Sequence, residues 1–345
     1  MKIFLYAILI FLWGLPCGLS ARDGSSLKVY FVSSAKEGMD TGNMTEERFW
    51  KEVPESSVFI LNIPGCMEKY PRTVFRAAAN STYLFIRIDA EEMNPDKLPF
   101  TGRTPGRDAG EIFKVGNVEF FFDPGVLKRD AAQVVFSVNG GIYDGITNGN
   151  PGWVYEGVVT KTLKGKRSWS MFGAFPWKDK GVDNVFSMTP ETCSLIGFNA
   201  CRGHSTLCYP RSFGTQWSKT PPNSYPRTDA FGILALPVSS VVQQLQKLLE
   251  NSPGALSLEG ALPSDSEKIY RSVLEKVLAA TRKNAQALPD NKKEECMKKL
   301  DELDKKLKNS SGTAELVKAL DECGSLGKMI HSVQINMSDS ILEDF

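Results

Sequence analysis

Residues 117–124 read Asn117-Val-Glu-Phe-Phe-Phe-Asp-Pro124, followed by Gly125. A short run of β-branched and aromatic side chains closed by a Pro-Gly pair is the pattern of one strand entering a turn. Working outward, runs of the same kind recur at residues 28–33, 58–61, 73–78, 83–89, 134–138, 154–160, 169–175, 196–200 and 231–236. Turn formers such as Gly140-Gly141 and Asn148-Gly149 separate most of them. No helical pattern of the length that a parallel α/β fold requires fits between, so a mainly β chain in an antiparallel sandwich or barrel is predicted.

The 345-residue chain carries 41 basic and 40 acidic side chains, with 42% apolar and 10% aromatic residues. Those values exclude disordered, collagen-like and multi-pass membrane classes. A net charge of +1 also lacks the basic excess that nucleic acid or an anionic membrane would call for.

The averages divide unevenly. Of 35 aromatic residues, 29 lie in residues 22–238, and only Tyr270 and Phe345 lie beyond. After residue 238 the composition turns to Lys, Glu, Leu and Ala, which are helix formers. A β domain over 22–238 and an α-helical extension over 239–345 are predicted. Helices are expected at 241–250, from a Ser264/Glu267 capping box to about 288, at 290–309 and at 313–323.

At the N-terminus Lys2 precedes an apolar run over residues 3–15 and the small residues Gly18, Ser20 and Ala21. This is a signal-peptide pattern over 1–21, shorter than a bilayer span. A secreted, periplasmic or cell-surface location follows, with a lipid anchor on Cys17 as the lesser alternative. Removing Cys17 leaves Cys66, Cys193, Cys201, Cys208, Cys296 and Cys323, an even number in an oxidising compartment. Cys296 and Cys323 are about equally far from the turn of a helical hairpin around residues 310–312, so a disulfide between them is predicted. The spacing of Cys193, Cys201 and Cys208 with His204 is too wide for the usual zinc pairs.

Catalytic signatures are absent from the sequence. The chain holds two histidines, His204 and His331, and no nucleophile elbow, His-Glu-x-x-His pair or P-loop. The nearest carboxylate group, Asp108, Glu111, Glu119 and Asp123, reads as strand-end ion pairs and caps, and no enzyme activity is expected. The aromatics fit a sugar-binding surface or a core equally; Trp50, Trp153, Trp169, Trp177 and Trp217 are expected to be mostly core.

The order of motifs is more specific. The stretch Thr73-Val-Phe-Arg-Ala-Ala-Ala-Asn-Ser-Thr-Tyr-Leu-Phe-Ile-Arg-Ile precedes the opening strand, and Val134-Val-Phe-Ser-Val-Asn-Gly140 follows it. After these come Trp169-Ser-Met-Phe-Gly-Ala-Phe-Pro-Trp177, Ile196-Gly-Phe-Asn-Ala-Cys-Arg202, Gln216-Trp-Ser218 and Phe231-Gly-Ile-Leu-Ala-Leu236. In this order, over about residues 55–238, the chain resembles the family 9 carbohydrate-binding modules and their DOMON-like relatives.

The resemblance implies a jelly-roll-like β-sandwich that holds a sugar between two aromatic rings, often beside glycoside hydrolases. By position the rings fall on Phe113 and Tyr225, and Glu119 matches a carboxylate that accepts sugar hydroxyls. Ser137 stands where the family has a sugar-binding Arg, Pro222 where it has an Asn-type contact, and Arg202 is the candidate replacement donor. No organic cofactor is implied; structural calcium occurs in some relatives, and haem in DOMON relatives would have His204 as its ligand in the β domain. The expected partner is a mono-, oligo- or polysaccharide. The alternative is a cell-envelope interaction protein docking through its helices.

Overall fold

The computed structural model describes residues 27–147, 152–177, 193–222, 224–249, 256–263 and 266–309, and residues 315–333 apart from 317, 321, 328, 331, 332. The expected leader over 1–21 with Cys17, the Asn148-Gly149 turn, Ser264, the hairpin turn at 310–312 and His331 lie outside them. One compact unit comprises Leu27–Leu245 with Leu256–Ser266, and the other takes Gln246–Ala255 together with the chain from Glu267 onward.

The first unit is a sandwich of two sheets. Its strands in chain order are β1 (Leu27–Phe31), β2 (Ser33–Ser34), β3 (Ile60–Leu61), β4 (Thr73–Ala79), β5 (Tyr83–Glu91), β6 (Asn117–Pro124) and β7 (Ala132–Ser137). They continue as β8 (Ile142–Ile146), β9 (Val159–Lys164), β10 (Ser168–Pro176), β11 (Leu195–His204), β12 (Phe213–Gln216), β13 (Gly232–Ala235) and β14 (Leu256–Gly260). The larger sheet has the order β14-β1-β13-β11-β6-β7-β8, with β12 on β11 and β3 on β12; the smaller runs β2-β4-β5-β10-β9.

Most ladders are antiparallel, as expected, but β1 runs parallel to both β13 and β14, and β2 runs parallel to β4. After the helix α1 (Val241–Leu249), the chain returns to the β unit as β14. Its Glu259 accepts from the Ser57 amide at 2.8 Å and from Trp217 Nε1 at 3.0 Å, which ties the new edge strand to two earlier segments.

Alternation along each strand sends one set of side chains between the sheets. Phe75 and Ala77 of β4, Ile86 and Ile88 of β5, Phe120 and Phe122 of β6, Phe136 of β7, Phe175 of β10 and Phe198 of β11 share one core. Phe120 meets Phe136 and Phe175 edge-on at 5.5 and 5.4 Å. Each such ring removed from water contributes about 2–3 kcal/mol. Close packing there demands Gly173, because a Cβ on it would lie 2.7 Å from the Phe136 ring. Trp50, Trp153, Trp169, Trp177 and Trp217 are all buried, as core packing predicts.

The two outward faces differ. That of the smaller sheet is covered by Met39, Met44, Phe49, Trp50 and Val53, packed on Ala78, Phe85, Phe172 and Ala174. On the larger sheet a small cluster of Phe121, Ala131, Cys201 and Phe231 is joined by half-buried Tyr225.

In the second unit, α2 (Ser266–Ala285) buries Ile269, Val273, Leu274, Val277 and Leu278, and α3 (Asp290–Asn309) buries Cys296, Leu300, Leu303 and Leu307. The helical residues that follow bury Leu316, Leu320, Cys323, Leu326 and Ile330. Among the described residues no disulfide is present, and Cys296 and Cys323 are both buried free thiols. The Cys323 Sγ lies 3.8 Å from Thr281 Oγ1 of α2. No described helix is long and apolar enough to cross a membrane.

Candidate functional site

Strand β6 alternates Val118, Phe120 and Phe122 into the core, so Glu119 and Phe121 emerge on the outward face. Glu119 stands opposite Val135 of β7 on one side and Cys201 of β11 on the other. Its Oε2 accepts from Gln133 Nε2 at 2.8 Å, and among the described residues it has no ion pair. Burial pushes its carboxyl up to about 7, partly opposed by the Gln133 bond.

Tyr225 lies on the β11 side of this carboxylate, its ring against the cluster that contains Cys201. Its hydroxyl bonds Asn62 and sits over Gly214 of β12, where a Cβ would be 1.6 Å from Oη. Burial raises this hydroxyl above the usual tyrosine range, and the Cys201 thiol is raised likewise; both stay neutral.

Phe113 stands on the other side. It belongs to a 3-10 turn, Gly110–Lys114, whose Ile112 is fully buried while the Phe113 ring is 43% exposed. That ring meets Tyr143 of β8 edge-on at 5.2 Å. Tyr143 pairs with Val135, and Val135 pairs with Glu119. Tyr143, Val135, Glu119 and Cys201 therefore form one row across four strands, with Tyr143 roughly 10 Å from Glu119 at two strand spacings. Of the five residues expected at a ligand site, Phe113, Glu119 and Tyr225 share this face, with the carboxylate between the rings.

Ser137 and Arg202 do other work. Ser137 is fully buried; its Oγ donates to Asn139 Oδ1 at 2.6 Å and accepts from the Gly141 amide at 3.0 Å, closing the β7–β8 turn. Arg202 follows Cys201 by one residue and so points to the opposite, inner side of β11. There it is 1% exposed and donates to Thr73 Oγ1 and Glu92 Oε2, both at 2.9 Å. It also lies 5.0 Å from the centre of the Trp169 ring, and Tyr209 donates to the other Glu92 oxygen at 2.5 Å.

His204, on the same inner side, stacks on Phe213 at 4.0 Å, with Nε2 3.1 Å from Thr215 Oγ1. Burial and the Arg202 charge drive it far below the usual histidine range, leaving a neutral ring. Among the described residues no three His, Cys, Asp or Glu side chains are grouped to hold a metal ion. Asp123 and Asp108 from the carboxylate group serve turns: Asp123 accepts from the Leu127 and Lys128 amides at 3.1 and 2.8 Å, and Asp108 from the Asp144 amide at 3.2 Å.

Sequence reasoning missed Tyr143, Gln133, Asn62 and Gly214. Gln133 lies one residue before the run read as β at 134–138, so extending that strand by one residue could have given its outward parity, whereas its place near Glu119 comes from the β6–β7 register. Tyr143 follows a Gly-Gly turn in a strand too short to stand out. Asn62 and Gly214 come together only through the pairing of β3 with β12.

No protein-family model matches the chain, and no curated protein matches it. Solved structures do show similarity. A family 9 carbohydrate-binding module from Caldicellulosiruptor kristjanssonii in complex with cellotriose is 11% identical, with 61% of this chain and 96% of that chain covered and a TM-score of 0.42. The same module with glucose is 11% identical over 60% of this chain and 95% of that one, at a TM-score of 0.41. A Bacteroides uniformis protein regarded as carbohydrate-binding is 13% identical over 61% of this chain and 100% of that one, at a TM-score of 0.46. These are likenesses to β-domain structures, and they assign no ligand to this chain.

Proposed function

We propose that the outward face of the larger sheet binds an uncharged carbohydrate and performs no chemistry on it. The observation that carries this reading is the placement of Glu119 between Phe113 with Tyr143 on one side and Tyr225 on the other. A sugar presents C–H groups on its faces and hydroxyls round its rim. Aromatic faces suit the former, and a carboxyl held by Gln133 suits the latter. Export would place the protein where polysaccharide is broken down, and the leader-like residues 1–21 support that location.

Calorimetric titration with cellotriose, mannotriose and xylotriose, together with a wider saccharide array, tests the reading. Saturable binding that Tyr225→Ala weakens is expected; absence of binding across the whole panel rejects it.

A docking role has one observation in its favour. In the helical unit a groove of about 540 Å³ is lined by Leu303, Leu326 and Met329 with Lys299, Lys318 and Glu322. Crosslinking of the full chain in its native envelope, with a stoichiometric protein attached at Lys299 or Lys318, would support that role over sugar binding.

A further inference from the structure

Several carboxylates elsewhere in the β unit have cations beside them. Asp89 meets Arg76 and Arg87, Glu55 meets Arg72 and Arg76, and Glu92 meets Arg202. Glu119 has one neutral amide, Gln133, on β7. From β11 it faces the Cys201 thiol, and from the loop after β12 the Tyr225 hydroxyl; Cys66 lies near that hydroxyl as well. Val135 completes the row on β7. None of these groups carries positive charge, and burial already pushes the free carboxyl up to about 7.

A sugar laid between Phe113 and Tyr225 would cover Glu119 and remove the water that still reaches it. An unpaired carboxylate loses solvation without gaining a cation, which disfavours the charged form further. A neutral carboxylic acid donates through its O–H and accepts through its C=O, as a sugar hydroxyl also does. With Oε2 held by Gln133, Oε1 is left to carry the proton.

We propose that uncharged sugars bind this face with Glu119 protonated, so that binding takes up a proton from solvent and the complex dissociates as pH rises. This rests on the carbohydrate reading above. Proton linkage then requires affinity to fall about tenfold per pH unit above the titration of the free carboxyl.

The test is calorimetric titration of the full chain with cellotriose, mannotriose and xylotriose from pH 5.5 to 8.5, repeated at pH 8 in two buffers of different ionisation enthalpy. Level affinity below about pH 6.5, a decline approaching tenfold per unit above about pH 7.5 and uptake of nearly one proton at pH 8 are expected. Glu119→Gln should abolish the slope. Should that variant not bind, the proton count of the unsubstituted protein decides alone. An affinity level across the range, or a slope that persists in Glu119→Gln, overturns the proposal and leaves the carbohydrate reading standing. No binding to any of the three sugars at any pH overturns both.

Discussion

The Tyr225 hydroxyl fills the space that a side chain at Gly214 would occupy: a Cβ there would lie 1.6 Å from Oη and 2.9 Å from Cζ. The next nearest atom, the Arg202 carbonyl oxygen, is 3.8 Å away. Gly214→Ala should therefore move the Tyr225 ring and little else. Sugar affinity should fall about fivefold, as expected for losing one aromatic contact of ~1 kcal/mol. Calorimetry reads the affinity, and an unfolding free energy changed by less than about 1 kcal/mol would separate displacement from unfolding.

Phe113 is the exposed member of the pair, at 43%. Phe113→Ala should reduce sugar affinity about five- to tenfold and leave unfolding stability within ~0.5 kcal/mol. Equal affinity of the variant and the unsubstituted protein would remove Phe113 from the binding face.

Arg202 and Glu92 are buried together, at 1% and 4% exposure. Arg202→Met leaves an uncompensated carboxylate between the sheets, and a loss of about 3–5 kcal/mol is expected in urea unfolding. The paired change Arg202→Met with Glu92→Leu should recover part of that loss, because neither buried charge then remains. If the double variant is as unstable as the sum of the singles, the pair is not the source of the cost.

Glu119 links stability to pH with a definite sign. Its carboxyl is raised from 4.5 to about 7 in the folded chain, so between those values the folded state holds more protons than the unfolded one. The stability from this group is complete below about pH 4.5 and is lost as pH rises through about 7. Glu119→Gln removes that loss, and should gain on the order of 3 kcal/mol over the unsubstituted protein between pH 4.5 and pH 8. Asp123, raised to about 6 by burial, contributes in the same sense and remains in both proteins. Thermal unfolding of the two across that range checks the prediction.

Gly173 faces the core, where a Cβ would lie 2.7 Å from the Phe136 ring and 2.8 Å from that of Phe175. Gly173→Ala is expected to cost about 1–3 kcal/mol by overpacking. Chemical denaturation measures it, and a neutral result would mean that the two rings can repack.

By itself the sequence determined the local patterns: short aromatic and β-branched runs with turns between them up to about residue 237, and helix-forming composition after it. Those are properties of neighbouring residues, and the structure keeps them as the two sheets and the helical unit. The sequence also placed Phe113, Glu119 and Tyr225 as candidates, by motif order. Tertiary structure decided what local patterns do not contain. With a side-chain period of two, one step along β11 separates Cys201 on the outward face from Arg202 on the inner side, where it pairs with Glu92. Pairing of β1 with β14, far apart in sequence, carried residues 256–260 out of the helical extension and into the sheet. Helix packing sets Cys323 beside Thr281 of α2. Each of these outcomes depends on long-range contacts whose partners cannot be read from either segment alone.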